Sequence, residues 1–164
     1  MDVTADELAG IVELFGSLTR AELQTAVAEL AFKTAGDFEP DSFASDVEAA
    51  RRSYHLLSIP PTAVDEEPIE AAEEPSWLVP GPLAFPALPE NATDLPHILG
   101  VAERAVDPAA VDRAAEQRFR ADAAAAVDAG DADRIATLRD VSYEIEAWGG
   151  VDLAATRDRL DAAE

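Results

Sequence analysis

The residues of this chain that could do chemistry are few, beginning with two histidines, His55 and His97. Neither lies in an H-E-x-x-H pattern or another spacing that brings metal ligands to one helix face. We therefore expect both histidines to have a core-edge or a hydrogen-bonded role. The chain has no cysteine, which excludes a thiolate metal site, a cysteine nucleophile and a disulfide framework.

Three closely spaced aspartates, Asp128, Asp131 and Asp133, superficially suggest a cation-binding loop. The ligand order of an EF-hand, its central glycine and its closing glutamate are missing, so we interpret the three as a helix end, an N-cap and a solvated acid. The sequence thus predicts no catalytic, metal or cofactor site, and we expect a protein that is not an enzyme.

Two adjacent arginines, Arg51 and Arg52, lie near the end of the third predicted helix. In a winged-helix protein this helix enters the major groove, where arginine contacts phosphate and guanine. The same helix carries Asp41, Asp46 and Glu48, and the chain lacks the basic stripe that is typical of DNA-binding proteins. DNA binding through the two arginines is therefore the alternative function.

Trp77 and Phe85 are the candidates for contact with a protein partner or with a second copy of the chain. They lie in residues 76–99, which are too apolar for a free coil and are expected to cross a helical surface. Nine of the eleven prolines fall between residues 60 and 96. A proline-rich ligand for an aromatic groove is another interpretation of this region.

The helices that would position these candidate residues begin with a repeated helix-start signature near the N-terminus. The stretch Val3–Leu8 returns as Leu18–Leu23. In each copy a threonine and the glutamate three residues later match a capping box, and the outer apolar pair matches a hydrophobic staple.

Apolar stripes predict three N-terminal helices, the first ending at Gly16, the second ending near Gly36 and the third entered at Pro40. Three helices with tight links predict a trihelical unit of the helix-turn-helix type. Residues 54–59 and 77–85 are predicted to pair as a wing, although the prolines restrict the returning segment to an edge or bulge.

The remaining segments complete a mainly α fold in three parts, which are 1–59 (trihelical unit), 60–99 (acidic loop and proline-rich crossing segment) and 100–164 (helical hairpin). Residues 60–75 carry six acidic and no basic residues, which predicts a mobile, solvated loop. In the third part, Asp107-Pro108 starts a long helix, Gly130 ends it, and Asp131 caps the next. Asp152 is expected to cap a last short helix.

The net charge of −22 with a pI near 4.1 is spread over all three parts of the chain. Eleven of the twelve basic residues are arginine, with Lys33 alone. Such a surface is tolerable where salt shortens the Debye length to about 3 Å at 1 M. We infer the salt-rich cytoplasm of a halophilic archaeon, with an acidic mesophilic protein as the alternative. We expect no membrane span and no signal segment, and therefore a soluble intracellular protein.

The N-terminal third resembles a small family of haloarchaeal proteins of unknown function. The residues that carry the resemblance are Leu8–Gly16, Leu18–Leu23 and Glu29–Lys33. The resemblance implies no activity. We therefore expect a non-enzymatic interaction or regulatory protein that binds a partner or itself near Trp77 and Phe85.

The charge distribution generates a first prediction, that dilution below roughly 0.5 M salt loosens or unfolds the protein because its like charges are then less screened. Thermal melts across a salt series measure this. A melting temperature that does not change with salt would remove the halophile inference.

Overall fold

The computed structural model describes residues 3–64 and 77–163, and within them the chain is mainly helical, as predicted. The helices are α1 (Ala5–Phe15), α2 (Arg20–Lys33), α3 (Pro40–Arg52), α4 (Leu95–Leu99), α5 (Pro108–Ala129), α6 (Ala132–Trp148) and α7 (Ala154–Ala162). The strands are β1 (Leu56–Ile59) and β2 (Trp77–Pro80).

The chain divides by its contacts into two compact units, Met1–Val111 and Asp112–Glu164. The three parts drawn from the sequence at residues 59 and 99 stay a prediction, because they divide the chain by composition and not by contacts.

Both predicted capping boxes are confirmed. At the start of α1 the Thr4 hydroxyl accepts from the Glu7 N–H at 3.1 Å, and the Glu7 carboxylate accepts from the Thr4 N–H at 3.1 Å. Thr19 and Glu22 form the same pair of bonds at the start of α2, at 3.2 and 2.9 Å. Because each box satisfies two helix-end donors, the first residues of both helices are fixed locally.

One hydrophobic core joins the first three helices. Its members include Phe15 of α1, Leu30 of α2 and Phe43 and Val47 of α3, all buried. Large aliphatic and aromatic side chains therefore supply this burial, while much of the alanine in the chain serves helix formation.

The two strands pair antiparallel, with Leu57 opposite Val79, so the predicted pairing is confirmed for residues 56–59 and 77–80 but does not extend to residue 85. Leu18, in the connection between α1 and α2, exchanges backbone hydrogen bonds of 2.8 and 3.3 Å with Leu78 on the other side of β2. The sheet therefore links the α1–α2 connection to the chain that leaves α3. The predicted mobile acidic loop lies largely outside the described residues.

A buried ion pair lies at the centre of the first unit. Both terminal nitrogens of Arg104 donate to the two carboxylate oxygens of Glu22 at 2.8 Å, and one also donates to the Ser17 carbonyl at 3.0 Å. The guanidinium carbon lies 4.7 Å from the centre of the Trp77 ring. The Arg104 N–H donates to the Phe15 carbonyl at 2.8 Å, so the segment before α5 is attached to the α1–α2 connection.

The second unit contains α6 and all but the first turn of α5, which form the predicted helical hairpin. Arg134 of α6 reaches Asp122 of α5 at 3.6 Å. At the other end, Gly149 lies so close to Asp112 that a Cβ on the glycine would be 2.7 Å from the carboxylate. Because residues late in α6 adjoin residues early in α5, the two helices run antiparallel, and Asp131 caps α6 as predicted.

Helix α7 is attached to α6 through Arg157. Its guanidinium donates to the Glu146 carboxylate at 2.7 Å and to the Ser142 hydroxyl at 3.0 Å, and it lies over the Tyr143 ring at 4.1 Å. The hydrogen bond from Arg157, together with one from the Leu153 N–H, holds the pKa of Glu146 below its ordinary value of 4.5. The predicted cap of α7 differs in detail, since Leu153 occupies the N-cap position and Asp152 accepts from the N–H of Ala154.

The buried ion pair generates a second prediction. Arg104→Met should lower the free energy of unfolding by about 3–5 kcal/mol, because it leaves the Glu22 carboxylate buried without its cation. Urea denaturation followed by circular dichroism in molar salt measures the change. The matched control is the double variant Arg104→Met/Glu22→Gln, which removes the buried charge and keeps an oxygen for the Thr19 cap. It should be less destabilised than Arg104→Met, and equal losses would contradict the argument.

The Glu146–Arg157 pair generates a third prediction, on pH. Because the pKa of Glu146 is lowered in the folded protein, this group stabilises the fold above its unfolded pKa, and the contribution is lost as pH falls through the folded value. Glu146→Gln should therefore speed hydrogen exchange in α6 and α7 at neutral pH, with the difference from the parent shrinking below about pH 4. Glu144→Gln, at an exposed position of the same helix, is the control, and a difference that grows on acidification would contradict the prediction.

Candidate interaction surface

An apolar segment at residues 85–88, which we call the Phe85 segment, lies outside the helices and strands, and its sequence restricts its backbone. Pro86 has a fixed φ, and Pro89 follows the segment directly. A residue before proline is disfavoured in the helical region, which restricts Phe85 and Leu88 as well. The backbone of this short stretch therefore has little conformational freedom to lose on binding.

Helix α1 anchors the Phe85 segment through Asp6. The Phe85 N–H donates to an Asp6 carboxylate oxygen at 3.0 Å, and the Ala87 N–H donates to the Asp6 carbonyl at 3.0 Å. Gly10 allows the close approach, since a Cβ there would lie 2.0 Å from the Ala87 carbonyl oxygen. The two hydrogen bonds to Asp6 and the close approach at Gly10 thus fix the Phe85 segment to α1.

Two large apolar side chains of the Phe85 segment face solvent. Phe85 is 82% exposed and Leu88 is 48% exposed. Trp77, the other residue predicted for this contact, lies inside the protein at 2% exposure, with Arg104 over its ring. The structure therefore leaves Phe85 on the surface and gives Trp77 a place in the core.

A second exposed aromatic side chain, Phe32 of α2, was not singled out from the sequence. It is 82% exposed and borders a shallow depression of about 470 Å³ on the outer face of α2. We call this surface the α2 face, and its lining residues are Ala21, Gln24, Thr25, Ala28, Glu29 and Phe32. The signal was present in the sequence, because Phe32 falls outside the apolar stripe that predicts the buried side of α2.

The arginines of the alternative DNA-binding interpretation lie at the end of α3. Arg51 pairs with Glu48 at 3.2 Å, and Glu48 also reaches Arg20 of α2 at 3.4 Å. Arg52 is exposed, and so are Asp41 and Asp46 on the same helix. A phosphate approaching this helix would meet carboxylates that partly neutralise or oppose the arginines.

His55 takes part in an array of serine, histidine and aspartate that the sequence did not suggest. Its Nδ1 lies 2.7 Å from the Ser53 hydroxyl, and its Nε2 lies 3.6 Å from the Asp6 carboxylate. The Ser53 hydroxyl donates to the Ala49 carbonyl at 2.9 Å. Its proton is therefore directed at a carbonyl oxygen, whereas a serine nucleophile must give its proton to a base. The array therefore connects the end of α3 to α1, as expected of a hydrogen-bonded structural histidine.

The other candidates are dispersed. His97 is exposed on the short helix α4, and Asp131 is used as the cap of α6. Among residues 3–64 and 77–163, no group of three or more histidine, aspartate or glutamate side chains is placed to hold a metal ion. No helix within the described ranges has the length and apolarity needed to span a membrane.

Together these features define a mainly helical protein with a two-stranded sheet and exposed aromatic side chains on its first unit. Residues 6–164 match the model of DUF7109, a family of unknown function, and the chain belongs to that family. No curated protein and no solved structure matches the chain.

Proposed function

We propose that this protein is a non-enzymatic interaction or regulatory protein of a halophilic, archaeal cytoplasm, and that it binds a protein partner or a second copy of itself through the Phe85 segment. The observation that carries the proposal is an aromatic side chain, 82% exposed, on a backbone fixed by Pro86 and by two hydrogen bonds to Asp6.

Fixing the backbone favours binding for an energetic reason. Association costs the ordering of side chains and loops at the interface, and a preorganised segment has already met most of that cost. Interface energy is concentrated in a few residues, and aromatic side chains that become desolvated are common among them. Phe85 supplies such a side chain, and Leu88 supplies apolar area beside it.

The arrangement of the first unit supports a winged-helix-like, trihelical interpretation. In order along the chain come α1, the paired residue Leu18, α2, α3 and the antiparallel strands β1 and β2. This order supports DNA binding through Arg51 and Arg52 as the second candidate function.

The charges of α3 favour protein binding over DNA binding. Asp41, Asp46 and Glu48 are exposed on the helix that would enter the groove, and Arg51 is paired with Glu48. A net charge of −22 further weakens attraction to phosphate, the interaction that supplies essentially all non-specific DNA binding.

A fourth prediction tests both candidates in one experiment, affinity purification at native salt with the recovered material scored for protein and for DNA. Phe85→Ser should abolish recovery of a stoichiometric protein partner or second copy, because the desolvated aromatic contact is lost. Val127→Ser is the matched control, because it likewise replaces an exposed apolar side chain with serine, but on α5.

The double variant Arg51→Ala/Arg52→Ala should leave protein recovery unchanged. Recovery of specific DNA fragments by the parent, and their loss in this double variant, would replace the proposal with the DNA-binding alternative. Circular dichroism of each variant separates loss of binding from loss of fold.

A further inference from the structure

We propose that the Phe85 segment of one molecule docks on the α2 face of a second copy of the same chain. This inference rests on the proposed function and narrows it, since it commits the Phe85 segment to self-association. The Phe85 segment and the α2 face lie in the same unit but carry different chemistry.

The α2 face is the more basic of the two surfaces. Arg20 precedes it at the start of α2, where it is paired with Glu48 of α3 at 3.4 Å, and Lys33 follows it at the end, both exposed. Glu29 is the acid within its lining. Counted with Glu48, the two cations and two anions around this face balance, in a chain of net charge −22. An approaching second copy would therefore meet little net repulsion at this surface.

The Phe85 segment has the opposite surroundings. Asp6, which anchors the segment, has a side chain that is 39% exposed, and Glu90 and Asp94 follow the segment in exposed positions. An acidic rim around an apolar segment complements the exposed Lys33 at the end of the α2 face. Such complementarity fixes register and orientation in addition to its contribution to affinity.

The α2 face also offers a place for the apolar side chains of the segment. The shallow depression on the α2 face has a volume of about 470 Å³, and we assign it to the Phe85 ring and part of Leu88. Ala21 and Ala28 keep its lining low, and Phe32 offers an aromatic wall. Two aromatic rings at such a contact prefer an edge-to-face or offset arrangement, which adds to the burial of apolar area.

Because the docking segment and the accepting face are different surfaces, the contact has a testable symmetry. Two molecules related by a two-fold axis would exchange two identical contacts, whereas a head-to-tail arrangement would leave one segment and one face open. In either case, damage to the segment and damage to the face must affect the same association.

The experiment is sedimentation velocity of the pure full-length protein over a concentration series in roughly 1 M salt, where the overall repulsion is screened. The parent should self-associate, and Phe85→Ser and Thr25→Glu should each raise the dissociation constant about tenfold or more. Thr25 is exposed in the depression, so glutamate there blocks it and adds a repelling charge. The matched controls are Val127→Ser and Ala124→Glu on α5, which should associate like the parent.

Mixing the two defective variants gives the sharpest test. The Phe85→Ser protein keeps an intact α2 face, and the Thr25→Glu protein keeps an intact segment. An equimolar mixture should therefore form one-to-one complexes that neither variant forms alone. If the mixture stays as monomeric as its components, or if only one of the two variants impairs association, the assigned contact is wrong.

A charge exchange tests the electrostatic part. Lys33→Glu should weaken association, because the acidic rim of the segment then faces an acid in place of a lysine. Adding Glu90→Lys to the same chain should restore association, because the rim then offers a lysine to that acid. A parent that stays monomeric throughout overturns the self-docking proposal. If a monomeric parent still recovers another protein and Phe85→Ser abolishes that recovery, the proposed function stands. If the parent recovers no protein, the proposed function and the self-docking proposal both fail.

Discussion

The first unit depends on one buried ion pair, Arg104 with Glu22. A buried pair stabilises a fold only if its geometry is good and its remaining hydrogen bonds are made, because both charges lose their hydration. Here the contact is bidentate, the Ser17 carbonyl accepts a further bond, and the Thr19 N–H donates to the same carboxylate. Glu22 therefore has two roles, since the side chain that caps α2 also holds the segment before α5.

This double role shows how far the sequence could predict the fold. Capping boxes, glycine helix ends and apolar stripes depend on residues within a few positions of each other, so α1, α2 and α6 were located from local signals. The partner of Glu22 lies 82 residues away along the chain. No local pattern connects Arg104 to Glu22, and the burial of Trp77 beneath Arg104 follows from that connection.

The candidate surface was predictable to a similar degree. Phe85 was singled out because its region is too apolar for a free coil, but its exposure depends on the anchor at Asp6, 79 residues away. Phe32 shows the opposite case. The apolar stripe predicts the buried side of α2, but it gives no prediction for Phe32, which lies outside the stripe and is exposed. In the second unit, Val127 of α5 and Trp148 of α6 recur at helical spacing with buried apolar residues of their helices, yet both are partly exposed. On α5 the neighbouring Ala126 takes the buried position.

Charge and exposed aromatic side chains have opposite effects on such a protein, and salt sets the balance between them. At low ionic strength the charge of −22 keeps molecules apart, so apolar side chains such as Phe85 and Phe32 can stay exposed without uncontrolled association. At a Debye length of about 3 Å only charges in near contact still interact strongly. Apolar contact then decides whether two surfaces associate, and the local pattern of acids and bases decides which surfaces they are. Salt that stabilises the fold would, by the same screening, permit the proposed docking.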